Sequence, residues 1–448
     1  MTSDPTCDLD FVAALARCTD DAELIAWHGG TGPDATCGLA WDLETAAVTS
    51  WDTLRSQVDL WGDSAKKNMN RPSAGDPNAV DHGWDPFPGG CWIQLDYEFP
   101  ARPGRAWRPR SWWAWRDEGR AKYLLPSVHS RDLSATIRTF HARPERSCPR
   151  PRATGLYPAW DHVGHGRRVE DIRARIAAGE IYQANLTLAF TAPLVACPPG
   201  SDIGLFLTLI EQSSGGFAVL MRSGGRTVIS HSPECLLRAH AGSDGIDITS
   251  LPIKGTRRRI PGREDQVRAE LLGSDKDRAE LAMIVDLVRN DLGRIAVPGS
   301  VRVVDPAAVL DLPHLHHLVA TVVARARPGL DAIDALAALF PAGSIVGAPK
   351  LRAQQVLRGL EAGLRGPYCG TFGWLAGRRT SLGTRMGIGE ANLAVAIRTL
   401  VVEGGTATLH AGGGIVADSH PDREWEEACA KASAMAAALG ITLQAGDP

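Results

Sequence analysis

A charge excess of either sign is missing from this sequence: 48 Lys and Arg stand against 51 Asp and Glu, a net charge of -3. No broad basic field exists to hold nucleic acid or an anionic membrane, so binding to either is not expected. Long apolar runs are also missing, and none approaches the roughly 20 residues that span a bilayer. The opening segment, MTSDPTCDLDFVAALARC, has acids where a secretory leader carries Lys or Arg, and its apolar stretch is short. These absences give the expectation of a cytoplasmic protein. The nine cysteines are odd in number and widely spaced, and no CxxC pair occurs among them. That argues against a disulfide framework and a structural zinc site, and for reduced, mostly buried thiols. Internal repeats and low-complexity tracts are absent as well.

What is present reads as an ordinary folding chain. Its 448 residues are 44% hydrophobic and 22% charged, enough for a large core. Eleven of thirteen Trp lie at or before Trp160, a clustering best explained by packing between layers. Residues 62–110 read as mostly irregular, interrupted by a strand from Cys91 to Tyr97, and Ala142 to Arg152 reads as a surface connection. Beyond it, helices are expected at Val169–Ala178, Asp277–Ile295, Lys350–Glu361 and Asp422–Leu439. Strands are expected at Tyr182–Phe190, Phe217–Met221, Thr227–Ser230, Val319–Ala326, Thr371–Leu375, Leu393–Val402 and Thr406–His410. Helices and strands mixed without a regular βαβ beat indicate an α+β fold.

Two of these helices carry paired acids three residues apart, Asp277 with Glu280 and Glu424 with Glu427, and Lys431 follows four residues later. Residues so spaced share a helix face. Taken alone the pattern describes a solvated face, but Leu281-Ala282-Met283-Ile284-Val285 shows that the first helix is not freely exposed. Lys254 lies in Pro252-Ile253-Lys254-Gly255-Thr256. Spacing alone makes it a surface lysine at a strand end; partial desolvation there would depress its pKa and free the amine as a nucleophile. Gly412-Gly413-Gly414 after a strand permits close backbone approach to a ligand, or simply a tight turn. Gly343 to Lys350 has the look of a phosphate loop but lacks its Gly-Lys-Ser/Thr ending, and Pro349 removes a donor, so nucleotide binding there is rejected. His314, His316 and His317 are too isolated from other ligands to form a zinc site.

The order of these blocks along the chain resembles the chorismate-binding family, which includes the large subunits of anthranilate synthase and aminodeoxychorismate synthase together with isochorismate and salicylate synthases. The resemblance runs from about Gly179 to the C-terminus. It rests on Gly179 to Leu186, Ser230-His231-Ser232-Pro233-Glu234, Pro252 to Thr256, Asp277 to Arg294, His317-Leu318-Val319, Phe340 to Lys350, Arg365 to Gly370, Ala396 to Thr399, Gly412 to Ser419 and Glu424/Glu427/Lys431. Residues 1–155 match poorly, only Gly89-Gly90-Cys91-Trp92 and Tyr97 fitting the family pattern. They are expected to form a divergent N-terminal part of the same fold, with 156–448 as the catalytic region.

The resemblance implies two packed antiparallel sheets with helices outside and the site between them. It implies Mg²⁺ held by Glu280 and Glu427, with Asp277 and Glu424 acting through water or behind them. The glycines 412 to 414 and Lys431 would border the ring carboxylate of chorismate, and Arg398 and Tyr368 its enolpyruvyl carboxylate. Glu234 would be the general acid, His317 would lie by the ring, and Gly255 and Thr256 would help orient substrate or ammonia. Two positions separate family members. Isochorismate and salicylate synthases have Lys where this chain has Gln183, and Gln is no base for water. Anthranilate synthases typically have Ala where this chain has Lys254, whereas aminodeoxychorismate synthases have the Pro-Ile-Lys-Gly-Thr form. The resemblance thus favours amination of chorismate at C4 through a covalent Lys254 adduct. No Gly-x-Cys-x-Gly nucleophile motif surrounds any cysteine, so ammonia is expected from a separate glutamine amidotransferase subunit. A separate lyase is expected to turn the product into 4-aminobenzoate for folate.

Overall fold

The computed structural model describes residues 24–30, 36–57, 91–117, 122–126, 149–212, 216–242, 245–312, 315–379 and 385–441. His314, Gly89, Gly90 and much of the 62–110 and 142–152 segments lie outside them.

Two antiparallel sheets make up the body. In the first, Thr36–Val48 pairs with Leu24–Gly30, which pairs with Gly216–Ser223, and the order continues through Arg226–Ser232, Thr399–Glu403 and Thr406–Ile415 to Gln183–Ala196. In the second, Cys91–Leu95 pairs with Thr371–Arg379, followed by Arg385–Val395, Cys235–Gly242, Gly245–Leu251 and Leu315–Arg325. Ile253–Arg258 and Arg302–Asp311 also pair with that last strand. Gly104–Asp117 bonds to both Thr36–Val48 and Cys91–Leu95 and so joins the layers. The α+β expectation is met.

Between the sheets lies a layer built from Ile25, Trp27, Trp92, Phe217, Val219 and Phe372. Trp27 and Trp92 meet across it with ring centroids 5.2 Å apart, so these two tryptophans are packing residues. Helices cover the outer faces. Asp275–Gly293 lies on the second sheet and buries Leu281, Ile284, Val285, Val288 and Leu292, a stripe of helical period. Its start is capped by Ser274, whose hydroxyl accepts from the Asp277 N–H. Pro421–Ala438 lies on the first sheet and begins with Pro at its first turn. Three of the described cysteines, Cys91, Cys235 and Cys369, are buried, and no disulfide forms among the described residues.

The chain changes sheet twice at neighbouring points. Pro233-Glu234 links Arg226–Ser232 to Cys235–Gly242, and Ala396-Ile397-Arg398 links Arg385–Val395 to Thr399–Glu403. The second link corrects the single strand expected from Leu393 to Val402. Arg398 adopts φ +50, a left-handed conformation that no strand interior accommodates, so apolar alternation ran on through a break made by the backbone. Hydrogen bonds tie the two links together, from Val395 N–H to the Glu234 carbonyl at 3.0 Å and from His231 N–H to the Arg398 carbonyl at 3.1 Å.

Candidate active site

The sheet change places Glu234 in the interior, 5% exposed. Its Oε1 accepts a 2.6 Å hydrogen bond from the Ser344 hydroxyl. Burial pushes its carboxyl up to about 7, against the opposing pull of Ser344, Lys254 and the Ile253 backbone.

Lys254 sits on Ile253–Arg258, where Gly255 at φ +71 shifts the register between Lys254 and Thr256. That bulge suits glycine alone, because a Cβ at 255 would also lie 3.0 Å from the Asp277 side chain. Lys254 keeps part of its surface open to the cleft, yet burial lowers its ammonium pKa. The carboxylates Glu280, Glu234 and Glu427 oppose that shift, and Lys431 adds to it. Glu280 and Glu427 belong to the two helices on opposite sheets, so the acidic faces converge on one lysine. The first face is thus largely covered at Glu280, whereas Glu427 and Lys431 on the second stay half exposed.

Around this centre the remaining acids differ in their engagements. Asp277 receives a 2.7 Å ion pair from Arg257. Glu424 accepts from the Ser419 hydroxyl at 2.7 Å, and burial first, with Glu427 beside it, raises its pKa. Glu427 is bonded to Lys431 at 2.5 Å, and Lys431 also donates to the Gly412 carbonyl at 2.8 Å.

The glycines make no turn. Gly412 to Gly414 continue the strand Thr406–Ile415 and pair with Thr187, Leu186 and Asn185, so the strand runs past the expected end at His410. Their lack of side chains is needed for space instead. A Cβ on Gly412 would lie 1.9 Å from the Leu186 carbonyl oxygen, and one on Gly414 2.3 Å from the Gln183 amide nitrogen. One on Gly413 would lie 3.0 Å from Glu424 and 3.2 Å from Glu427.

Opposite the acids, polar atoms are left wanting partners. Gln183 is 1% exposed, and neither atom of its amide is hydrogen-bonded. His317 bonds through Nδ1 to the Thr256 hydroxyl at 2.9 Å, while its buried Nε2 has no partner. Burial, helped by the nearby Arg398 charge, lowers the His317 pKa to about 4, so the ring is neutral. Burial alone lowers the Arg398 pKa, and no carboxylate among the described residues offsets it. A guanidinium in that state is a site for an anion. Tyr368 is buried and stacks on His410 at 5.5 Å. Such orphaned groups are rare inside proteins unless a ligand meets them. Of the expected residues, Lys254 lies within electrostatic reach of Glu234, Glu280 and Glu427, and Thr256, His317 and Arg398 lie beside one another.

Sequence reasoning missed Ser344, because its partner Glu234 is 110 residues away and no local spacing marks the pair. The rejected phosphate loop proves to be a short 3-10 turn, Gly343–Ile345, followed by a buried ion pair of Lys350 with Asp291 at 2.5 Å. His316, the other described member of the histidine group, is engaged by Asp311 at 2.7 Å. Among the described residues no helix is long and apolar enough to cross a membrane.

A sequence model described as chorismate binding enzyme matches residues 78–437, most of the chain. The chain belongs to the chorismate binding enzyme family. The match begins well before Gly179, where the resemblance was first legible. Relatives include anthranilate synthase component 1 of Thermus thermophilus, 36% identical over 342 residues that cover 76% of this chain and 66% of that protein. Aminodeoxychorismate synthase component 1 of Escherichia coli is 38% identical over 265 residues, 59% of this chain and 54% of that protein. The chain thus spans between half and two thirds of these relatives' lengths. Among solved structures, anthranilate synthase component I of Streptococcus pneumoniae superposes with a TM-score of 0.70 at 24% identity, over 91% of this chain and 93% of that one. The menaquinone-specific isochorismate synthase MenF of Escherichia coli gives 0.72 at 20% identity, over 95% and 91%. These two likenesses concern the fold, and the two-sheet architecture expected of the family is present.

Proposed function

We propose that this family member is the aminating subunit of an aminodeoxychorismate synthase, converting chorismate to 4-amino-4-deoxychorismate. The observation that carries the reading is Lys254, a desolvated amine in a cleft shared with Glu234. Relatives of both aminating activities lie at similar identity, so the chemistry at position 254 does the discriminating.

In this reading the Lys254 amine attacks C2 of the ring. The C4 hydroxyl departs as water, taking its proton from Glu234. Ammonia then bonds to C4 and expels the lysine, leaving the enolpyruvyl group in place. Arg398, a fork donor without a carboxylate partner, and Tyr368 hold the enolpyruvyl carboxylate. His317 and Thr256 border the ring, and Gln183 offers its amide to substrate without serving as a base. Glu280 and Glu427 suit Mg²⁺, with Glu424 and Asp277 behind them, and a side chain at Gly413 would crowd Glu424 and Glu427. Carboxylate oxygens are the donors a hard ion takes, and Mg²⁺ needs only one or two of them because it completes its shell with water and substrate oxygens. When bound, Mg²⁺ would supply Lewis acidity and a template for the ring carboxylate. Ammonia comes from a separate glutamine amidotransferase subunit, the reaction proceeds in the cytoplasm, and the product leads to 4-aminobenzoate.

The test is chromatographic identification of the product from chorismate, Mg²⁺ and an ammonium salt. Aminodeoxychorismate is expected. Anthranilate with release of pyruvate would replace this reading with C2 amination, and chorismate binding without turnover would make the chain a binding protein.

A further inference from the structure

We propose that Ser344 is a positioning residue that fixes and tunes the acid Glu234. The inference rests on the reading of Glu234 as proton donor to the departing C4 hydroxyl.

Ser344 is buried, and its hydroxyl donates to Glu234 Oε1 at 2.6 Å. The turn that carries it is held from three sides. The Arg365 guanidinium donates to the Ile345 carbonyl at 2.7 Å, Asn185 N–H donates to the Val346 carbonyl at 2.8 Å, and Gly343 lies so near Leu287 that a Cβ would come within 3.1 Å of it. The hydroxyl is therefore presented by a stiff segment. With Oε1 accepting from Ser344, the acid proton belongs on Oε2. When that O–H bond breaks, the proton leaves with the C4 hydroxyl as water and the electron pair stays on the carboxylate. Ser344 stabilises that charge in a place where burial disfavours it. The proton returns from the ammonium formed when ammonia bonds to C4. Ser344 thus works against burial: it keeps the carboxyl from becoming too weak an acid to give its proton up.

The experiment compares kcat and KM across pH for the intact chain and for Ser344→Ala and Ser344→Cys, with chorismate, Mg²⁺ and ammonium. Ser344→Ala should lower kcat about 10- to 100-fold near pH 7 and leave the chorismate KM within about twofold. Its alkaline limb should move up by about one pH unit, the equivalent of one lost hydrogen bond. Ser344→Cys, a weaker donor, should move the limb partway. In a Glu234→Gln background, Ser344→Ala should have little further effect on kcat. A kcat loss with an unmoved limb, or an equal loss in the Glu234→Gln background, would overturn the proposal. The two readings fail separately. If Glu234→Gln keeps the wild-type rate and limb, the acid assignment is wrong. If Glu234→Gln abolishes the limb while both Ser344 variants leave it in place, only the role of Ser344 is wrong.

Discussion

Two half-buried lysines, Lys254 and Lys350, separate reactivity from architecture. Burial is the largest influence on each and lowers both ammonium pKa values. Lys350 is locked: its Nζ lies 2.5 Å from Asp291 and 3.1 Å from the Leu339 carbonyl, and Arg294 approaches the same carboxylate at 3.3 Å. Lys254 is surrounded by the charges of Glu280, Glu234 and Glu427, yet among the described residues no hydrogen bond to its Nζ is formed. A lysine with a dedicated partner is a structural tie. One that feels several acids and is bonded to none is left available to a substrate.

Removing each lysine should therefore break different things. Lys254→Ala should cut C4 amination about 10³-fold, or divert amination to C2, without lowering the melting temperature; product analysis with a thermal scan checks both halves. Full C4 amination by this variant would end the nucleophile assignment. Lys350→Met leaves the buried Asp291 carboxylate with only the more exposed Arg294 at 3.3 Å and should cost roughly 3 kcal/mol in urea unfolding. Adding Asp291→Leu should restore most of that, because the burial penalty leaves with the charge.

The acid beside Lys254 sharpens the contrast through pH. Burial pushes its pKa up to about 7, from the ordinary 4.5 of a glutamate. Below the unfolded pKa the carboxyl is neutral in both states and carries no penalty; as pH rises through the native value, folding must bury a charge. Glu234→Gln should accordingly unfold less readily than the natural chain at pH 8 by up to roughly 3 kcal/mol, with the gain vanishing near pH 4. Its turnover should fall about 100-fold or more. A smaller effect is expected at the glycine strand. Gly413→Ala should raise the Mg²⁺ needed for half-maximal activity about tenfold by crowding Glu424 and Glu427, an effect read from a metal titration.

Sequence made some of this legible and hid the rest for definable reasons. The helix from Asp275 was plain because Leu281, Ile284, Val285 and Val288 follow its period. The convergence of its acids with those of Pro421–Ala438 was not plain, because spacing fixes a face and says nothing of what that face meets. Arg398 was visible as a candidate only by resemblance; its left-handed backbone erased the strand break from the apolar pattern. The three glycines suggested a turn because glycine usually answers a conformational need, and here the need was room. Ser344 and the Lys350–Asp291 pair have no local signature, since each is completed by residues far along the chain.

The paired crossings at 233–234 and 396–398 have a mechanical consequence. Because backbone bonds tie the links bearing Glu234 and Arg398 into one seam, a shift of one sheet against the other would carry these two residues together. Glu280 and Glu427 ride on helices attached to different sheets, so the same shift would change chiefly the spacing between these two carboxylates.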